Sequence, residues 1–286
     1  MTRITDGEPL LFAHRGFAGE NPENTVAAVE AAGGIESTHW VEIDAMATAD
    51  GDPVVFHDAE LSGRGGPPGA PDDRGLTDAT GVVWETDTAT VTAAEVLDSG
   101  ETVPLLGEAL DAIPPRVGVN VELKNPGRPP SALRPDETLD PDALAERTAV
   151  WLPFVERVLE VTEERANDLL ISSFHEAALA ATRELSAVAV APLCSESVGD
   201  ALEIARRYDA TAVHPPIDAV RGTPFFDASR FGDADVVAAA HDAARAVNVW
   251  TVGTWYRTDR LAAAGVDGVI ADYSTVGTRC KQGSRL

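Results

Sequence analysis

Two histidines each follow an apolar segment in the N-terminal part of the chain, and together they could move protons in a reaction. His14 comes directly after the apolar residues 10–13, and His57 comes directly after the apolar residues 54–56. Histidine changes its charge near neutral pH, so two histidines at one site can serve as general acid and general base. We therefore predict that His14 and His57 form a catalytic pair, against the alternative that each is structural.

Three carboxylates lie on two further apolar segments, at spacings that put side chains on one face of a strand. Glu42 and Asp44 are two residues apart, and Glu122 stands two residues before Lys124. Because side chains alternate along a strand, each pair projects to one side. Unpaired carboxylates in that position are costly, so a cation must lie nearby, either Arg15 or a bound metal. Oxygen ligands suit hard divalent cations, and we predict a metal site at Glu42, Asp44 and Glu122, with a salt-bridge cluster as the alternative.

Lys124 is unusual for this composition, because the chain contains only one other lysine, Lys281, among 22 basic residues. A compact ammonium group suits the binding of a phosphate. The alternative is a simple ion pair with Glu122. The sequence contains no Gly-x-Ser-x-Gly elbow, Gly-rich phosphate loop or dinucleotide fingerprint, which excludes serine-nucleophile and nicotinamide chemistry.

The candidate residues lie at the ends of apolar segments that alternate with amphipathic ones along nearly the whole chain. This alternation predicts parallel strands connected by helices, and eight such units predict a closed TIM-type (β/α)8 barrel with its active site at the C-terminal ends of the strands. The predicted strands are residues 10–15, 40–46, 117–124, 169–174, 187–193, 210–214, 247–252 and 268–272. The predicted helices are residues 24–32, with Asn24 as N-cap, and residues 142–167, 176–185, 198–208, 234–246 and 258–264.

Two segments interrupt this pattern. A short strand at residues 54–57 is followed by residues 62–75, which contain five Gly and three Pro and predict a mobile loop. Residues 125–141 contain five Pro directly after a strand, where barrel enzymes place loops that face the substrate. We predict one domain over residues 1–286, with residues 59–103 as an insertion after the second strand.

The charge balance limits the partners and the compartment. With 47 Asp+Glu against 22 Lys+Arg the net charge is −25, which disfavours nucleic acid and anionic membranes. Such a surface is typical of a halophile, since molar salt screens its self-repulsion, and it predicts instability in low salt. The chain shows no signal peptide, no transmembrane segment and only two cysteines, which favours a reducing cytoplasm.

Several short motifs in one order resemble a known family. They are His-Arg-Gly at 14–16, Pro-Glu-Asn-Thr at 22–25, Glu-x-Asp at 42–44, His-Asp at 57–58, Val-Glu-Leu-Lys at 121–124, Ser-Ser-Phe at 172–174, Trp-Thr-Val at 250–252 and the segment 265–272. Together they span nearly the whole chain and are similar to the motifs of the glycerophosphodiester phosphodiesterases. After His57 the family often continues with Leu-x-Arg-Thr-Thr, whereas residues 61–66 read Leu-Ser-Gly-Arg-Gly-Gly. This departure leaves the preferred head group open.

The resemblance implies a TIM-type barrel that hydrolyses glycerophosphodiesters to glycerol phosphate and an alcohol with a divalent metal, Mg²⁺ or Ca²⁺. It implies the following roles: acid and base for His14 and His57, metal ligands for Glu42, Asp44 and Glu122, phosphate contacts for Arg15 and Lys124, and further substrate contacts for Phe174 and Trp250. His214, at another predicted strand end, is interpreted as structural.

Three alternatives stay open on the same barrel: a lysophospholipase D or other lipid phosphodiesterase, a non-catalytic protein that binds glycerol phosphates, and a sugar-phosphate isomerase. The isomerase has no need of a three-carboxylate metal site, and the retention of both histidines argues against the binding protein. The partner we expect is a small-molecule diester, without nucleic acid and without stable membrane association. The chain is expected to be a monomer or a homodimer.

Overall fold

Eight parallel strands form the wall of a barrel in the computed structural model, which describes residues 8–63, 76–129, 132–163 and 165–277. Neighbouring strands follow the order β6-β5-β4-β2-β1-β9-β8-β7, and the short strand β3 pairs antiparallel with β2 outside this path. The strands are β1 (Leu10–His14), β2 (Trp40–Ala47), β3 (Pro53–Val55), β4 (Gly118–Asn125), β5 (Leu169–Ser173), β6 (Ala189–Pro192), β7 (Ala212–Val213), β8 (Ala246–Val252) and β9 (Gly268–Ala271).

The two ends of this sheet meet between β6 and β7. The His214 amide donates to the Pro192 carbonyl at 2.9 Å, and the Thr211 amide donates to the Val190 carbonyl at 3.0 Å. A parallel bridge joins Leu193 to His214 just beyond both strands. The predicted TIM-type barrel is therefore confirmed, with a nearly closed sheet.

Most of the helices cover the outside of the sheet with an apolar face. The longest, α4, buries Trp151, Phe154, Val155 and Val158 and packs against α3 and α5. The helices are α1 (Val26–Gly34), α2 (Thr88–Thr92), α3 (Leu106–Asp111), α4 (Pro141–Glu163), α5 (Glu176–Leu185), α6 (Val198–Arg207), α7 (Ala228–Phe231), α8 (Val236–Asp242) and α9 (Trp255–Ala263).

Several predicted helices have different ends in the structure. The predicted helix 142–167 is observed as Pro141–Glu163, and the predicted helix 258–264 is observed as Trp255–Ala263. The N-cap of α1 is Thr25, whose hydroxyl accepts from the Ala28 amide, and the prediction of Asn24 as N-cap is wrong. The predicted helix 234–246 is also too long, because α8 ends at Asp242 and β8 begins at Ala246. Between them Ala244 has a φ of 57°, in the left-handed region that a continuous helix does not allow.

The described part of the segment between β3 and α3 has a hydrophobic core of its own. Its buried side chains are Met46, Val54, Phe56, Leu61, Val83, Val91, Ala94, Val96 and Val103. Trp84, in the 3-10 turn Val83–Glu85, packs partly buried against this cluster. The Gly/Pro-rich loop that we predicted as mobile lies largely outside the described residues, which omit 64–75.

Candidate active site

The C-terminal ends of the barrel strands surround a cavity of about 420 Å³. It is lined by His14, Arg15, Glu42, His57, Asn120, Glu122, Lys124, Phe174, Leu193, Trp250, Thr251 and Ile270. The structure thus brings eight of the nine predicted site residues to one cavity. The ninth, Asp44, is fully buried directly beside it and contacts two of the lining residues.

Strand pairing explains why the carboxylates meet. In the register of β2 with β4, Asp44 lies opposite Glu122, and Glu42 lies opposite Asn120. Alternation along each strand then sends Glu42, Asp44, Glu122 and Asn120 to the same side of the sheet. One ligand oxygen from each of the three carboxylates lies within 4.8 Å of the others.

Two cations are embedded among these carboxylates. The Lys124 ammonium lies 2.5 Å from Glu122 Oε1 and 3.2 Å from Asp44 Oδ1. Arg15 Nε lies 3.1 Å from Asp44 Oδ2, and the same guanidinium donates through Nη1 to Glu23 at 2.7 Å. The ion pairs of the salt-bridge alternative are therefore observed, and they involve carboxylates that we predict as metal ligands.

The charges in this cluster do not balance. Burial raises the pKa of Glu42 well above its usual value, and the neighbouring Asp44 and Glu122 carboxylates raise it further. Burial would also raise the pKa of Asp44, but the nearby Lys124 and Arg15 hold it below its usual value. Three buried carboxylates thus face two cations. The oxygen donors and the excess negative charge both fit a divalent cation, which Glu42, Asp44 and Glu122 would hold.

Each predicted catalytic histidine is hydrogen-bonded to an aspartate. His14 Nδ1 lies 2.6 Å from Asp272 Oδ1, and His57 Nδ1 lies 2.6 Å from Asp58 Oδ1. An aspartate at Nδ1 favours a proton there and fixes the ring, leaving Nε2 to act on a substrate. His14 Nε2 is also 4.0 Å from Glu42 Oε2, so this histidine borders the carboxylate cluster.

The loop after β1 is shaped to hold Arg15 in place. Arg15 has a φ of 52°, and its backbone N–H donates to Glu42 Oε2 at 3.1 Å. Gly16 follows with a φ of 75°, and a Cβ there would come within 2.7 Å of the Ala28 carbonyl carbon in α1. The Arg-Gly pair therefore needs glycine both for its backbone conformation and for its close approach to α1.

Two aromatic side chains form the apolar side of the cavity. The rings of Phe174 and Trp250 meet edge to face with their centroids 5.6 Å apart, and the Lys124 ammonium lies 5.7 Å from the centroid of Phe174. The Trp250 indole N–H donates to the His214 carbonyl at 2.8 Å, which fixes the ring. His214 is fully buried and does not line the cavity, and its burial lowers its pKa to about 3.

The sequence profile of the glycerophosphoryl diester phosphodiesterase family matches residues 14–276. The chain belongs to this family. The prediction from the motifs is confirmed at the level of the family and of its enzyme class, phosphoric diester hydrolases. Among the described residues, no helix is long and apolar enough to cross a membrane.

Two similar proteins align with nearly the whole chain, and a third aligns with less than half of it. A glycerophosphodiester phosphodiesterase from Bacillus altitudinis is 28% identical over 276 residues, which cover 92% of this chain and 94% of that protein. A phosphodiesterase from Oleispira antarctica, solved in complex with the product sn-glycerol-3-phosphate, is 28% identical with a TM-score of 0.68, covering 93% of this chain and 94% of that one. A lysophospholipase D from Rattus norvegicus is 33% identical over 113 residues, 40% of this chain and 35% of that protein.

Four residues at the site were not assigned from the sequence. Asp58 and Asp272 orient the two histidines, and Glu23 binds Arg15. Asn24, with a φ of 58°, donates from Nδ2 to Asp44 Oδ2 at 2.9 Å. All four lie inside the motifs noted above, so the signal was present, but a motif does not say which partner each residue meets.

Proposed function

We propose that this enzyme hydrolyses glycerophosphodiesters to glycerol phosphate and an alcohol by histidine acid-base catalysis with a divalent cation, Mg²⁺ or Ca²⁺. The observation that carries the proposal is the single cavity in which His14 and His57 meet a cluster of three carboxylates, Arg15 and Lys124. The two histidines supply proton transfer and the cations supply charge for a phosphate.

The electrostatics of the reaction give a role to each charged side chain of the cavity. A phosphodiester carries one negative charge and gathers more on its non-bridging oxygens as it is attacked. Arg15 and Lys124 would bind these oxygens and stabilise the charge that develops on them. Glu42, Asp44 and Glu122 would hold a divalent cation, which would supply further positive charge to stabilise the phosphate when it is bound.

The histidines complete the proton balance. One takes the proton of the attacking hydroxyl, from water or from the glycerol of the substrate, as that oxygen bonds to phosphorus. The other gives a proton to the alcohol oxygen as its bond to phosphorus breaks. The Asp272 and Asp58 partners hold each imidazole with Nε2 available for this transfer.

The proposal is tested by measuring release of glycerol phosphate from glycerophosphocholine, glycerophosphoethanolamine and glycerophosphoglycerol. The assay contains about 2 M KCl to screen the acidic surface, with Mg²⁺, Ca²⁺ or EDTA. We expect metal-dependent release that EDTA abolishes. The matched control variant is His241→Ala, since His241 Nε2 lies 2.7 Å from Asp267 Oδ2 in a similar His–Asp pair that does not line the cavity. This variant should keep wild-type activity.

Lack of release from all three diesters by folded, metal-loaded protein would contradict the proposal. Lysophosphatidylglycerol then tests the lysophospholipase D alternative, which would release glycerol and leave lysophosphatidic acid. If that substrate also stays intact while glycerol phosphate binds, the chain is a binding protein. Activity that survives exhaustive chelation would contradict the metal dependence alone.

We also propose that the enzyme is a cytoplasmic protein adapted to high salt, acting as one domain over residues 1–286 with residues 59–103 inserted, and as a monomer or homodimer. The net charge of −25 supports the adaptation, because screening in molar salt relieves self-repulsion. The midpoint of thermal unfolding should therefore rise as KCl increases from about 0.1 M to about 2 M. A midpoint that falls or stays constant over this range would contradict the adaptation.

A further inference from the structure

A second cavity of about 290 Å³ adjoins the candidate active site and shares two of its walls, His57 and Lys124. It is lined by Met46, His57, Ala59, Trp84, Lys124, Asn125, Leu133, Pro135 and His175. Five of these nine residues are apolar or aromatic residues from the segment after β3, the end of β2 and the segment between β4 and α4. A small, mostly apolar cavity with a few polar groups is typical of a ligand site.

The walls of this second cavity are held by contacts outside it. The Val83 amide donates to the Ala59 carbonyl at 3.0 Å, which fixes the turn carrying Trp84 beside the segment after His57. On the opposite side, the Asp136 amide donates to the Phe174 carbonyl at 3.0 Å, next to His175. The Ser195 amide and hydroxyl each donate to the Asp136 carboxylate at 2.6 Å. The cavity is therefore built by ordered elements.

Two side chains that line the second cavity have a buried nitrogen without a hydrogen-bond partner among the residues that the structure describes. They are Trp84, through Nε1, and His175, through Nδ1. The indole nitrogen is a donor only. Burial lowers the pKa of His175 to about 4, so its ring is neutral at pH 7 and one nitrogen is an acceptor. A buried polar nitrogen left unpaired is costly, which favours a ligand that pairs with both.

Hydrogen bonding in the second cavity selects among alcohols. None of the nine lining residues is a carboxylate, and the one ammonium, that of Lys124, is already paired with Glu122 and Asp44. A trimethylammonium head group can neither accept from the indole N–H nor donate to the imidazole. A neutral alcohol with several hydroxyl groups can do both, since one hydroxyl can accept from the indole N–H and another can donate to the imidazole.

We propose that the second cavity binds the alcohol arm of the diester, and that its chemistry selects a neutral polyol such as glycerol over choline or ethanolamine. This inference rests on the proposed function. A phosphate held by Arg15 and Lys124 has two arms, and the polar first cavity with Trp250 takes the glycerol phosphate arm. The other arm then extends past His57 and Lys124 into the second cavity, with Trp84 and His175 as specificity-determining residues.

The test compares glycerophosphoglycerol with glycerophosphopropanol, whose leaving alcohol has the same three carbons without further hydroxyls. The measured quantity is the ratio of their kcat/KM values in the wild type, Trp84→Phe and His175→Phe. Comparing the ratio between variants cancels the different reactivity of the two alcohols. One lost hydrogen bond of about 1 kcal/mol should lower the ratio about fivefold in each variant. The wild type should also show a higher KM for glycerophosphocholine than for glycerophosphoglycerol.

Trp255→Phe is the matched control, because Trp255 is 64% exposed and lines neither cavity, and it should leave the ratio unchanged. A ratio that stays at the wild-type value in both cavity variants would overturn the inference, as would a lower KM for the choline diester. Equal loss on both substrates would show that Trp84 and His175 are structural, and it would overturn the inference as well. Absence of glycerol phosphate release from every diester is a different result, which contradicts the proposed function itself.

Discussion

The carboxylate cluster at the barrel mouth and the ion pair between α5 and α6 handle buried charge in opposite ways. Glu176 is fully buried, and its carboxylate accepts from the Leu139 amide at 2.5 Å, from Arg207 Nη1 at 2.8 Å and from the Tyr208 hydroxyl at 3.2 Å. One carboxylate thus meets one guanidinium and two neutral donors. The negative charge of Glu176 is therefore balanced by groups of the protein itself.

At the mouth of the barrel, three buried carboxylates share Arg15 and Lys124, and the pKa of Glu42 is raised well above its usual value, first by burial and then by its acidic neighbours. A fold selected for stability alone would not keep this excess of negative charge. Buried charge that the chain itself balances is therefore interpreted as structural, whereas buried charge left in excess indicates a binding site for a cation.

The largest expected effect concerns activity at the mouth of the barrel. We expect His14→Ala and His57→Ala each to lower kcat by about 100-fold or more, because each removes a general acid or base. Thermal unfolding should remain close to that of the wild type, since both side chains border a cavity. The measurement is steady-state kinetics of glycerol phosphate release together with a melting curve. Near-normal kcat in either purified variant would refute its catalytic role.

The next effect concerns stability at the balanced ion pair. Arg207→Met leaves the Glu176 carboxylate buried without its guanidinium, and we expect the free energy of unfolding to fall by about 2 kcal/mol. This figure lies below the usual cost of breaking a fully buried pair because Arg207 is 34% exposed. Denaturant titration measures the change, while kcat of the folded variant should be unaffected.

Glu203→Gln is the matched control for Arg207→Met, because Glu203 binds the same guanidinium at 3.1 Å from a more exposed position. Its effect on the free energy of unfolding should be much smaller than that of Arg207→Met, as for an exposed ion pair. If both variants lost the same stability, the contrast between buried and exposed partners of Arg207 would be wrong.

A smaller effect concerns pH, through a buried group that the barrel keeps neutral. The pKa of His214 is lowered by burial from 6.5 to about 3, so at pH 5.5 the unfolded chain binds a proton that the folded chain does not. The neutral His214 ring costs nothing in the folded state above pH 6.5, and the free energy of unfolding decreases as the pH falls below that value. Between pH 7.0 and pH 5.5 the loss should be about 1 kcal/mol.

His214→Gln removes this titrating group, and its stability should depend less on pH over the same interval. The measurement is the free energy of unfolding of both proteins at pH 7.0 and pH 5.5, in the same high salt. Parallel pH profiles for the two proteins would show that His214 is not the source of the loss.

The smallest effect should have the opposite sign. In metal-free protein, Glu42→Gln replaces the carboxyl whose ionised form is disfavoured by burial and by its acidic neighbours, and we expect the free energy of unfolding to stay constant or to rise by up to about 1 kcal/mol. The increase in melting temperature on adding Mg²⁺ or Ca²⁺ should be lost in this variant. A clear destabilisation of the metal-free variant would mean that the cluster is balanced like Glu176, and the contrast between the two regions would fail.

Much of the fold could be predicted from the sequence, because apolar periodicity is local. Each of the eight predicted strands overlaps a strand of the barrel, and alternation alone places Glu42 with Asp44 on one face of their strand and Glu122 with Lys124 on one face of theirs. The end of α8 could not be predicted in this way. It depends on the left-handed backbone of Ala244, a residue type that favours continuing a helix.

The missing parts of the site are those that depend on distant contacts. Asp272 lies 258 residues from the histidine it orients, and no local pattern indicates that pairing. The sequence predicts Asn24 as the N-cap of α1, because Asn is a good N-cap, but its side chain instead donates a hydrogen bond to Asp44. The second cavity is another such feature, since its walls come from segments that meet only in the folded barrel.

The position of β1 between β2 and β9 sets the order in which the site can assemble. Residues 10–13 pair with residues 268–271, so the first strand of the barrel gains one of its two neighbours only when the last strand has been made. We expect the closing of so long a loop to follow the local pairing of β4 with β5 and β5 with β6, because non-local pairings form slowly. A growing chain that ends before residue 272 lacks Asp272, so we expect His14 to acquire its orienting aspartate late in synthesis on the ribosome.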